Sequence, residues 1–217
     1  MFAISSTPYV PGHESKERIV RLPHQLGVLS LATAFRETAL ELMNDSDQWG
    51  KAELAMWLLG PYSRCTRYSA APGDPHVDLP HWWKTIDARF VERVIGSART
   101  SVLDVLRGEL ESGNVGAFAS EMIEASFVRK CDDEHGTDGW LPTTNPRGLA
   151  ERVLALFAAD CLSRPAEFAA ELAVCRMCRA VEFDSTTRER GICHRHQSGF
   201  FGPRGPIGPI SSLPAGA

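Results

Sequence analysis

The sequence predicts an all-α fold: a bundle of five or six helices with a small C-terminal zinc-binding finger and an extended Gly/Pro tail. Three observations predict it. Between residues 25 and 174, apolar side chains recur at three- and four-residue steps in one segment after another, the period that gathers them on one helical face. No alternating strand of convincing length interrupts these segments. Beyond them, Cys175, Cys178, Cys193 and His196 fall in the spacing C-x2-C-x14-C-x2-H.

A chain of 217 residues makes one ordinary domain, or one with a small appendage. Its 43% hydrophobic and 23% charged content excludes a wholly disordered polymer and a fibre. No run approaches the roughly 18 apolar residues of a membrane-spanning helix. Met1 to Pro11 shows no basic region followed by an apolar core, so the expected compartment is the cytoplasm, with no membrane partner. A net charge of −4 excludes coating nucleic acid by bulk charge.

Residues 1–24 read as an irregular lead, punctuated by Pro8, Pro11, Gly12 and Pro23. The helical domain is expected over 25–174. Its first helix runs from Gln25 to about Met43, with Val28, Leu31, Ala32, Phe35, Ala39 and Leu42 as its apolar stripe and Arg36, Glu37 and Glu41 opposite. Asp45 or Ser46 is the expected cap of a second helix, which Gly60-Pro61 should end. A proline-rich connection spans 61–80. The longest helix comes next, from Trp82 to Leu110, with Ile86, Phe90, Val94, Ala98, Val102, Val105 and Leu106 as its stripe. After Ser112-Gly113-Asn114 another helix runs through Phe118 and Met122 and ends before Cys131. Residues 132–145 read as a loop. Asn145-Pro146 then looks like an N-cap followed by a first-turn proline. That helix reaches Leu162, breaks at Ser163-Arg164-Pro165 and resumes to Val174.

Six cysteines are too few for a disulfide scaffold in a chain of this size. Cys65, Cys131 and Cys161 stand alone and read as reduced, buried thiols. The other three belong to a finger expected over 175–201. Zinc takes four soft or borderline ligands in a tetrahedron, and a structural site leaves no position open. Two ligands separated by two residues reach one metal from a single tight turn, and a second such pair closes the sphere. Val181, Phe183 and Ile192 would supply a small hairpin beneath the metal, and Gly191 the turn that aims Cys193. His196 fits the spacing and is preferred to the adjacent His194 as fourth ligand. Over these 22 residues the arrangement resembles zinc ribbons and related knuckle-built fingers, although Arg176-Met177 and His194-Arg195 stand where ribbon knuckles commonly have glycine or proline. The resemblance implies zinc and a small fold, and no biological role.

Residues 175–204 contain six arginines and three acids, a local +3 that leaves −7 on the rest of the chain. A basic finger on an acidic body points to nucleic acid as a partner, with Arg176, Arg179 and Arg195 as contacts beside the ligand pairs. The competing reading pairs these arginines with the body's acids. Three G-P-x triplets begin the tail at 202–217; they are too few for a collagen helix, and Ile207, Ile210 and Leu213 offer a segment for docking a protein.

Weaker motifs carry less. His76, Asp78 and His81 form H-x-D-x2-H in the proline-rich connection, and a surface role suffices for them. The acidic run from Asp132 lacks calcium-loop spacing. Glu121 and Glu124 have no E-x-x-H partner. With no nucleophile elbow, phosphate loop or H-E-x-x-H motif, the chain reads as a non-enzymatic binding protein with a regulatory or assembly role. The alternatives are a thiol redox protein using Cys175 and Cys178, and an enzyme with an inter-helix site lacking a linear motif.

Overall fold

A computed structural model of the chain describes residues 28–66, 87–132 and 138–197. The N-terminal lead, the H-x-D-x2-H motif, the Gly/Pro tail and the Cys131 side chain lie outside the described residues.

Helix α1, Val28–Asp45, buries Leu31, Ala32, Phe35, Ala39 and Leu42, the face expected from its period. It runs on into a 3-10 turn at Ser46–Gln48, so neither Asp45 nor Ser46 caps the next helix. The Ser46 hydroxyl instead donates back to the Leu42 carbonyl. Helix α2, Lys51–Trp57, starts at Gly50, whose amide donates to the Glu53 carboxylate at 2.9 Å. Gly60-Pro61 does not end the helical path. A wider π-type turn, Leu58–Tyr62, takes in Pro61 and leads into the short α3, Ser63–Thr66. Wider i→i+5 spacing relieves the demand for the amide hydrogen that proline lacks.

Helix α4, Ala88–Ser112, is capped by the Asp87 side chain and closed by Gly113 in the left-handed conformation at φ 69°. Its buried stripe is Val91, Ile95, Ala98, Val102 and Leu106, with Leu103 beside it. Val94 and Val105 are only half-buried, and Phe90 is 44% exposed. The expected stripe advances mainly by four-residue steps, and each such step drifts about 40° around a helix of 3.6 residues per turn. Mixed three- and four-residue steps hold the true stripe on one face.

Helix α5, Phe118–Glu124, is followed by a hairpin where a helix end and a loop were expected. Strand β1, Val128–Asp132, pairs antiparallel with β2, Asp138–Pro142, in the register Val128↔Pro142. The hairpin buries Val128 and Leu141 against α6, Leu149–Ser163. That helix begins three residues beyond Pro146, at the Gly148 cap, where Glu151 accepts the Gly148 amide at 3.0 Å. Asn145 donates its side-chain amide to the Ser126 carbonyl instead.

Helix α6 runs through the middle, with every residue from Val153 to Cys161 buried, and packs on α1, α4 and α5. Its one buried acid, Asp160, binds Arg36 at 2.7 Å and also pairs with Arg164. Arg36 further engages Glu167 at 2.8 Å. Helix α7, Pro165–Glu171, stops short of Val174. Leu172–Val174 are strand β3, paired antiparallel with β4, Val181–Phe183. Phe183 meets Phe168 at 5.1 Å and Phe157 at 6.2 Å between ring centroids, under the Arg36 guanidinium. The described chain is thus mostly helical with two short hairpins, and none of its helices is long and apolar enough to cross a membrane.

Candidate metal centre

The β3–β4 hairpin ends in a tight turn that carries the first two cysteines. Cys175 donates its amide to the Ala180 carbonyl at 2.8 Å, and its own carbonyl accepts the Arg179 amide at 2.9 Å. Arg179 closes the turn at φ 63°, a left-handed conformation unusual outside glycine. A hairpin of three residues a side is too short to be stable alone. It is held to the body by Asn44 at the end of α1, which donates to the Val181 carbonyl at 2.7 Å and accepts the Val181 amide at 3.0 Å. The Asn44 side chain thereby stands in for a neighbouring strand.

The second pair arrives through α8, Ser185–Arg190. Asp184 caps it by accepting the Thr187 amide at 2.6 Å, and Gly191 ends it at φ 70°. A Cβ at Gly191 would sit 2.9 Å from Nε of Arg176, whose own amide donates to the Gly191 carbonyl at 3.0 Å. Glycine suits both the left-handed backbone and this close crossing, where a Cβ would push the Arg176 side chain aside. Cys193 then opens the last described helix, α9, His194–Gln197, and its carbonyl accepts the His196 amide at 2.9 Å. Cysteine and histidine three residues apart therefore lie on one helical turn.

The two pairs converge. One ligand atom from each of Cys175, Cys178, Cys193 and His196 lies within 4.8 Å of the others, a set that could hold a metal ion. Cys178 Sγ is 3.7 Å from Cys193 Sγ, and His196 Nδ1 is 3.6 Å from Cys175 Sγ and 3.1 Å from Cys193 Sγ. Cys175 and Cys193 are buried, His196 is half-buried and Cys178 is exposed.

Electrostatics suits a cation. Burial opposes ionisation of the Cys175 thiol, but amide hydrogen bonds from Cys178, Cys193 and Met177 outweigh it and hold the pKa at about 6. Cys178 goes the other way: desolvation, together with the Cys175 and Cys193 sulfurs, pushes it up to about 12. One thiolate makes the next harder to form, and a bound cation reverses that logic by ionising them together.

His194 lies outside the cluster. It is exposed and lines a separate cleft with Asn44, Val181 and Asp184. Among the arginines expected at an interface, Arg176 is exposed and lies across Gly191, Arg179 is exposed directly after Cys178, and Arg195 is exposed on α9. Sequence reasoning misses Arg107 and the placement of Arg188, which line a second cleft together with Arg176. Arg188 falls within the basic segment, but Arg107 lies 69 residues before Arg176 and nothing local signals their meeting. Cys65 and Cys161 are buried free thiols, as expected.

Comparison of the chain with protein-family models, with curated proteins and with solved structures finds no match.

Proposed function

We propose that this is a non-enzymatic, zinc-stabilised binding protein, in which a body of five or six bundled helices presents a zinc finger over residues 175–201 to a nucleic acid or a protein. The observation that carries the reading is the convergence of three sulfurs and one imidazole nitrogen within 4.8 Å. Tetrahedral zinc, with sulfur at ~2.3 Å, sets neighbouring sulfurs about 3.8 Å apart and sulfur and imidazole nitrogen about 3.6 Å apart. The separations of 3.7 Å and 3.6 Å match these edges, and the second sulfur–nitrogen edge, Cys193 to His196, is shorter at 3.1 Å. Four protein ligands fill the sphere and leave no position for substrate, which favours a structural over a catalytic ion. Thiolate ligation requires reduced cysteines, so a reducing, cytoplasmic setting belongs to the same proposal.

Nucleic acid as target is supported by the arginines of the finger, and protein as target by Met177, which is 65% exposed at the tip of the knuckle. The alternative of a Cys175–Cys178 redox pair leaves the convergence of Cys193 and His196 on the same two sulfurs without a role.

Elemental analysis of the purified chain tests the reading. One zinc per chain is expected, and Cys178→Ser should lower it while most of the helical signal survives. Undiminished zinc in that variant removes Cys178 from the site. A Cys175–Cys178 disulfide forming under mild oxidation of the native chain would favour redox use instead.

A further inference from the structure

The basic character of the finger continues into the helical body. A cleft of about 540 Å³ separates the C-terminal turns of α4 from the β3 strand, the knuckle and α8. Three guanidinium-bearing residues line it from three elements: Arg107 of α4, Arg176 of the knuckle and Arg188 of α8, with Glu111 as the one acid. Arg107 and Arg188 are half-buried, so their stems are packed, and Arg176 is laid across the backbone at Gly191. Arg188 donates through Nη1 to the Leu172 carbonyl at 3.0 Å, which fixes the fork and leaves its remaining donors for a ligand.

Three arginines of the body are held in ion pairs: Arg36, Arg99 and Arg164 each engage a carboxylate. Among the described residues, Arg107, Arg176 and Arg188 engage none, although Glu111 stands one helical turn from Arg107. Arg176 is exposed, whereas Arg107 and Arg188 are half-buried, and a half-buried cation without a counter-charge is costly in the unliganded protein. An anion entering the cleft would supply the missing charge through forked hydrogen bonds.

We propose that this cleft seats the phosphate backbone of a nucleic acid, with Arg107, Arg176 and Arg188 as its phosphate contacts; the proposal rests on the nucleic-acid branch of the reading above. A single phosphate is matched by one or two guanidinium forks. Three along a cleft, with Arg179 and Arg190 on the adjoining knuckle and helix, suit a chain of phosphates. The binding surface then includes the helical body through Arg107, rather than the finger alone.

Fluorescence anisotropy of labelled single-stranded and duplex oligonucleotides with the full zinc-loaded chain, at two salt concentrations, tests this. Arg107→Gln lies far in sequence from every candidate ligand and is the cleanest variant; Arg188→Gln is the second. Each is expected to keep the native zinc content, and Arg107→Gln the native melting temperature as well; Arg188→Gln gives up the Leu172 hydrogen bond. Each should weaken binding several-fold at low salt and reduce the magnitude of the salt slope by roughly 0.7–0.9. Native binding with both variants indistinguishable from it overturns the cleft and leaves nucleic-acid binding by the finger standing. No binding by the native chain at low salt overturns the nucleic-acid reading itself. Binding of inorganic pyrophosphate without any oligonucleotide binding overturns the backbone assignment in favour of a small anion.

Discussion

His194 and His196 are two residues apart, yet only one faces the sulfurs. Nδ1 of His196 is within 3.6 Å of two cysteines, while His194 lines a cleft apart from them. His196→Ala is therefore expected to lower metal content sharply, and His194→Ala to leave it at the native level, as read by elemental analysis. At Asp160 the expectation concerns stability. This carboxylate is fully buried and holds both Arg36 and Arg164, so Asp160→Ala leaves two partly buried cations with only the half-exposed Glu167 and Glu171 as partners. Removing one partner of such a network costs about 3–5 kcal/mol, and denaturant unfolding should show a loss of that size. The four clustered residues Cys175, Cys178, Cys193 and His196 are legible in the sequence because two short, repeated spacings bring them to one point. Asp160 is not, because its partner on α1 is set by packing, and Arg36 reads as an ordinary residue of a solvent face.

Among the elements, helices longer than about ten residues are legible from their period, and the short strands are not. Strands β3 and β4 are three residues each, too short for alternation to show, and β1 carries few apolar residues. Helix starts depart from expectation for a related reason. At α2 and α6 the first turn is secured by a glutamate three residues inside, Glu53 or Glu151, reaching back to a glycine amide, so the signal sits inside the helix rather than before it. At α8 the cap is a carboxylate. Its hydrogen bond from the Thr187 amide holds Asp184 below the ordinary value of 3.8. A depressed carboxylate pKa stabilises the fold above the ordinary value, and that contribution is lost as pH falls through the lower folded value. Asp184→Ala should therefore speed hydrogen exchange in α8 at neutral pH, and the difference from native should vanish in strong acid. A metal bound by the cluster would brace the same segment. Removing the metal should raise exchange over 175–197, while α1, α4 and α6 keep their protection; equal loss everywhere would show that the body depends on the metal.

On the scale of the whole molecule, α6 organises the body, and the aromatic cluster of Phe157, Phe168 and Phe183 joins it to the hairpin that leads into the Cys/His cluster. Phe35 is fully buried on α1, which packs along α6, and Phe35→Ala should cost about 3–5 kcal/mol, measured as a lowered thermal midpoint. The tie between Asn44 and Val181 spans 137 residues of sequence. A chain made from its N-terminus carries Asn44 out long before Val181 exists, so during synthesis the amide at the end of α1 must wait in water. Hairpin docking must accordingly follow synthesis of Val181, and a nascent chain halted before that residue would leave the Cys175–Cys178 turn without its tether to α1.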